Sequence, residues 1–237
     1  MGSATGLSWA AVLFSYLGRN DIWEVLRAGA TPDELPNVAA EMLCPSDMKK
    51  GDARFGLSYV ANCGWYDVAN NGSATTDLPL QALFTDRAVT APTPVRTDKI
   101  KDGAGNTLML SENLQATQWF PLDALNGTTG RAARFQDAGM LWARDFGGTT
   151  SPDYSPYMVN LEKEATPTFP NTSAQADAYV PYVRPSSNHP GGVVVTYCDG
   201  HQDFLSDQID EAVYRELMSP DDAQAQNTSF HTPELMP

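Results

Sequence analysis

The chain is poor in the residues from which most catalytic and metal sites are built, with three histidines and three cysteines among 237 residues. It has no C-x-x-C pair, so neither a zinc knuckle nor a thioredoxin-like redox centre is expected. It has no G-x-S-x-G and no H-E-x-x-H, and His231 lies in the C-terminal tail. Ser187 and His189 are too close in sequence to count as parts of a triad, and no catalytic residue is assigned. Positive charge is also scarce. Fifteen Lys and Arg against 29 Asp and Glu give a net charge of −14, which repels nucleic acid and anionic membrane surfaces at long range. Calcium is the only cofactor that this carboxylate surplus suggests, and no ligand motif places it; the metal site is left unknown. No stretch approaches the roughly 18 consecutive apolar residues of a membrane span.

The remainder is globular in character: 42% hydrophobic, 19% charged and 10% aromatic, enough for a sizeable core. The strongest local signal runs from His189 to Leu205. Val193–Cys198 has high β-propensity, Asp199-Gly200 follows, and an alternating segment comes next. A two-residue turn predicts a hairpin with Cys198 opposite His201, Thr196 opposite Asp203, Val195 opposite Phe204 and Val194 opposite Leu205. Val193, Val195, Tyr197 and Phe204 then share the core face. In this reading His189, Gly191, Gly192, Asp199 and Gly200 form a structural motif. Six strand residues at about 3.3 Å each separate its two ends by about 20 Å, too far for one ion to join His189 to Asp199.

Along the chain, Trp9, Val12, Leu13, Tyr16 and Leu17 recur at helical spacing, with Ser8 as cap and Gly18 as stop. Ile22, Val25 and Leu26 mark a second helix, capped by Asn20 or Asp21 and closed by Gly29. Leu57–Trp65, Leu83–Thr90 and Thr107–Ser111 read as strands, and Met140–Ala143 as a brief pairing. Glu112, at the end of its strand, has no motif partner. Residues 145–188 form a loop-rich insert. Its Tyr154, Tyr157, Tyr179 and Tyr182, with Phe169, are either anchors for the loop or stacking faces for a sugar. After the hairpin, Ser206 or Asp207 caps a helix bearing Ile209, Ala212, Val213 and Leu217, which ends at Pro220. Cys44 and Cys63 are a candidate disulfide for an oxidising compartment, with Cys198 left as a structural thiol.

The His-x9-Asp-Gly spacing from His189 to Gly200 resembles the hallmark of a bacterial family of prepilin-type, pseudopilin-like secreted proteins, the domain of unknown function 1559 type. Further stretches resemble that family's ordered landmarks: Leu7-Ser8-Trp9 with Phe14–Leu17, Leu43–Asp47, Ser58–Asn62, and Lys101–Leu108 with Ser111-Glu112. The resemblance implies a prepilin leader and a long apolar N-terminal helix. This sequence departs from that pattern, opening on Met1-Gly2-Ser3-Ala4, which resembles an expression start joined to a trimmed head.

The expectation is therefore an α+β fold like a pilin head, with N-terminal helices packed on an antiparallel sheet, the hairpin near the sheet's centre and a long loop insert. A single domain spans 7–219, after a start at 1–6 and before a tail at 220–237. The resemblance implies the exported, non-catalytic head of a pseudopilin-like, surface or secretion-associated subunit that assembles through a missing N-terminal helix, in the periplasm, at the cell surface or outside the cell. Its partners are then other pilin-like subunits or itself in a fibre. An extracellular carbohydrate-binding protein that holds polysaccharide through the aromatic insert is one alternative. An uncharacterised hydrolase is the other.

Overall fold

A computed structural model describes residues 7–29, 32–36, 39–47, 55–67, 82–84, 95–116, 118–120, 138–145, 158–161 and 183–223. Its centre is a five-stranded sheet made of β1 (Tyr59–Asn62), β3 (Leu108–Glu112), β4 (Gly139–Met140), β6 (Gly192–Tyr197) and β7 (Gln202–Ser206). The order is β4-β1-β3-β6-β7. All neighbours are antiparallel except β1 and β4, which run parallel, so the sheet is mixed where an antiparallel one was expected. A separate parallel pair joins β2 (Trp65–Asp67) to β5 (Ala143–Asp145). The fold is broadly α+β. Among the described residues β3 is central and the β6–β7 hairpin forms one edge, not the middle.

The hairpin forms where its sequence places it, but one residue out of the predicted register. Val193 faces Leu205, Val194 faces Phe204, Val195 faces Asp203 and Thr196 faces Gln202. The cause is a three-residue loop. The Gly200 N–H donates to the Tyr197 carbonyl at 3.0 Å, Gly200 takes a φ of +91°, and the Tyr197 N–H returns to the His201 carbonyl at 2.9 Å. This is a type I turn closed by a left-handed glycine, the usual three-residue alternative to a primed two-residue turn. A slip of one residue exchanges the faces of the second strand. Leu205 therefore enters the core, while Phe204 turns outward beside Val194, at 48% and 38% exposure. Val193, Val195 and Tyr197 do point inward.

A second contact fixes the tip. The Cys198 N–H donates to Thr107 and the Asp199 N–H to Ala104, so the 103–107 loop docks against the turn. Gly105 leaves room for Asp199, whose Oδ2 lies 3.1 Å from where a Cβ would stand.

Two apolar clusters flank the sheet. One gathers Val60, Leu108, Met140, Val193, Val195 and Leu205 under helix α3 (Glu211–Met218), which contributes Tyr214 and Met218. Here the cap and the stripe both differ from expectation. Asp210 is the N-cap, accepting from the Ala212 and Val213 amides, and this phase buries Tyr214 and Met218 while Val213 stays exposed. Buried Asn62 ties the layers, its Nδ2 donating at 2.8 Å to the carbonyls of both Leu108 and Met218.

The other cluster holds the N-terminal helices α1 (Trp9–Leu13) and α2 (Asn20–Arg27) against Phe55, Trp119 and Phe120. Ser8 caps α1 through the Ala11 N–H and donates its own hydroxyl to the Trp119 carbonyl. Ala10 and Ala11 allow close approach, and the Phe14 ring meets Trp119 edge-on at 4.7 Å. The expected stripe is largely on the other side, since Val12, Tyr16 and Leu17 are 40%, 82% and 47% exposed. In α2, Ile22 and Leu26 are buried as the pattern predicts, and Gly29 ends the helix at φ +83°. Its N-cap is Arg19, whose guanidinium has no acceptor to offer the first amides and engages Asp21 at 2.8 Å; the expected caps, Asn20 and Asp21, lie inside the helix.

Two pieces of the expected insert are built into the body. Val159 joins the α3 cluster, Val183 and Arg184 are fully buried, and Asn160, at φ +57°, accepts the Ser187 N–H. Tyr154, Tyr157, Phe169, Tyr179 and Tyr182, most of the Leu83–Thr90 strand and the tail beyond Ala223 lie outside the described residues. Among the described residues no helix is long and apolar enough to cross a membrane.

Candidate functional site

The site lies where the central strand ends. Glu112 closes β3 opposite Tyr59 of β1 and beside β6, and it is buried at 5% exposure. Its Oε2 accepts the Val194 N–H at 2.9 Å, and its Oε1 lies 3.0 Å from His189 Nε2. The carboxylate thus ties the entry of the hairpin to the middle of the sheet.

His189 is presented by the turn that leads into β6. Its N–H donates to Ser187 Oγ, which in turn donates to the Gly192 carbonyl at 2.8 Å. Gly191 takes a φ of +79°, a conformation in which a side chain is strained. Gly192 has a different reason to lack a side chain: a Cβ there would stand 2.1 Å from the Leu205 carbonyl oxygen. The two glycines bend the chain tightly enough to hold the imidazole over the end of β3.

Cys44 completes the cluster from a third segment. The Cys44–Asp47 turn is closed by the Asp47 N–H donating to the Cys44 carbonyl, and Asp47 is itself buried and accepts from Ser58 Oγ at 2.9 Å. Asn188 donates to the Ser46 carbonyl, clamping this turn to the residue before His189. Cys44 Sγ comes to 3.8 Å from His189 Nε2. Sulfur, imidazole nitrogen and carboxylate oxygen all lie within 4.8 Å of one another. Ser46, Ser187 and Asn188 line the shallow recess beside them.

This geometry does not make a thiol nucleophile. A relay from carboxylate through imidazole to sulfur uses both ring nitrogens, whereas Glu112 and Cys44 both approach Nε2. Burial and the adjacent Glu112 carboxylate push the Cys44 thiol pKa up, away from the thiolate. Cys198 is pushed up to about 11 by burial and by Asp199.

At the far end of β6, Asp199 Oδ1 accepts the His201 N–H at 3.0 Å and sits 2.6 Å from His201 Nδ1. The His201 ring stacks on Tyr197 at 4.2 Å. The His201 amide and then its side chain hold the Asp199 carboxyl below the usual range. Among the described residues His189 and Asp199 share no partner. Cys44 and Cys63, the candidate pair, are free thiols in this structure: Cys44 stands beside His189, while the Cys63 N–H extends the β4 contact by donating to the Met140 carbonyl.

Glu112 is the functional candidate that sequence reasoning passed over. Its partners are 77 residues away at His189 and in the Cys44 turn, a spacing that no local motif encodes. One signal was available: Leu43–Asp47, Ser111-Glu112 and His189 are separate landmarks in the sequence, and here they meet.

A protein-family model described as a protein of unknown function, DUF1559, matches residues 1–212. No curated protein and no solved structure matches the chain.

Proposed function

The chain belongs to the DUF1559 family, and on that footing we propose that it is the non-catalytic head of an exported, pseudopilin-like subunit that assembles through its N-terminal helical side. The observation that carries this reading is the outward face of α1 and the turn after it. Helical spacing marks Val12, Tyr16 and Leu17 for burial, yet all three face solvent while Ala10, Ala11 and Phe14 hold the helix to the core. An apolar strip on an element already anchored from behind suits a neighbouring subunit. The non-catalytic part is supported by the state of the thiol near His189 and by the ring nitrogen that its two neighbours share.

Site-specific photo-cross-linking in cells tests the reading. A cross-linker in place of Tyr16 is expected to capture a second copy of this chain or another pilin-like subunit, and Leu17→Glu should remove that product without lowering the melting temperature. The same cross-linker at Val213, an apolar residue 47% exposed on α3, serves as the control. Equal capture from both positions, or none from Tyr16, would overturn the proposal.

A further inference from the structure

We propose that Cys44, Glu112 and His189 form a binding site for a transition-metal dication of the zinc type, with a fourth position open to the recess lined by Ser46, Ser187 and Asn188. The inference is independent of the assembly reading.

Distance is the first support. Tetrahedral zinc with bonds of about 2.3 Å to sulfur, about 2.05 Å to imidazole nitrogen and about 2.1 Å to carboxylate oxygen sets S···N near about 3.6 Å and N···O near about 3.4 Å. The corresponding separations are 3.8 Å and 3.0 Å, each within a few tenths of an ångström of those values, and the sulfur lies within 4.8 Å of the carboxylate oxygen. Three chain segments deliver one ligand atom each, and all three atoms lie within 4.8 Å of one another.

Donor chemistry is the second. A thiolate, an imidazole and one carboxylate are the set that suits zinc, while calcium takes six to eight oxygens. Three protein ligands leave the remaining coordination position for water or a bound molecule. On binding, the Cys44 S–H bond breaks, the S–metal bond forms and the proton leaves to solvent.

The third support is the way the ligands are held. Glu112 Oε2 is fixed by the Val194 N–H, the His189 backbone by Ser187 Oγ, and the Cys44 turn by Asp47, Ser58 and Asn188. Such outer contacts pre-orient ligands and raise metal affinity. Without a metal the same atoms compete. If Nε2 carries a proton it donates to Glu112, and it then has no lone pair for the Cys44 thiol. A dication accepts from all three.

Chelator-stripped protein titrated with Zn2+ is expected to bind one ion per chain and to melt at a higher temperature, whereas Ca2+ leaves the melt unchanged. Loaded with Co2+ instead, it should show thiolate-to-cobalt charge-transfer absorption. Cys44→Ser should weaken Zn2+ at least tenfold and abolish that absorption while the metal-free circular dichroism stays as in the parent. His189→Gln, read through the same cobalt spectrum, decides the matter should the Cys44 variant fail to fold. An unchanged Zn2+ affinity in Cys44→Ser, or a cobalt complex of the parent without the thiolate band, would overturn the site.

Discussion

Asp222, just beyond α3, is a carboxyl whose environment opposes its charge. Burial, then Asp102 and Glu216, raise its pKa from 3.8 to about 7, while its backbone N–H is held by Asp102 Oδ2 at 2.8 Å. Because the folded state keeps this proton more tightly than the unfolded chain, the group favours folding most below about pH 4. That contribution fades as the pH rises to about 7 and is absent above it. Asp222→Asn is therefore expected to raise the melting temperature at pH 8 and to leave it nearly unchanged at pH 4, measured by calorimetry at both values. His189 acts in the other direction. His189→Ala takes away the partner of a carboxylate that is 5% exposed, so metal-free protein should lose about 1–3 kcal/mol in urea unfolding. Neither residue's setting was legible in the sequence, since Asp102 lies 120 residues from Asp222 and Glu112 lies 77 from His189.

At the scale of elements, the hairpin shows what a local pattern fixes and where it stops. Asp199-Gly200 announces a turn, and both a two-residue primed turn and a three-residue turn closed by a left-handed glycine satisfy that dipeptide. The choice was made by the 103–107 loop, which takes the Cys198 and Asp199 amides. Gly192→Ala should destabilise the hairpin by at least about 2 kcal/mol, because its Cβ would meet the Leu205 backbone of β7, which cannot step aside, as well as the Phe204 ring. Gly191→Ala should cost about 1 kcal/mol, since it meets only the strain of a positive φ with open space around it. Chemical denaturation of the two variants reads the difference. A similar lesson applies to α3. Several residues before it can cap, and Asp210 does so; Asp210→Ala should cost about 1 kcal/mol in the same assay.

For the whole molecule, a net charge of −14 and an exposed apolar strip act against one another. Like charge keeps copies apart at low salt, and screening weakens that repulsion while leaving apolar contact intact. Association through Val12, Tyr16 and Leu17 should therefore tighten as salt is raised from about 20 mM to about 500 mM, followed by sedimentation equilibrium. The Leu17→Glu chain should stay monomeric throughout.

The sequence by itself determined that there would be N-terminal helices, a hairpin at Asp199-Gly200, a final helix before Pro220 and the family, because each rests on short-range chemistry or on an ordered series of landmarks. Only the tertiary structure decided the hairpin's register and edge position, the outward turn of Tyr16 and the meeting of Cys44, Glu112 and His189. Those outcomes depend on which surfaces compete for burial and which polar groups find a distant partner, and such contacts link segments up to 156 residues apart.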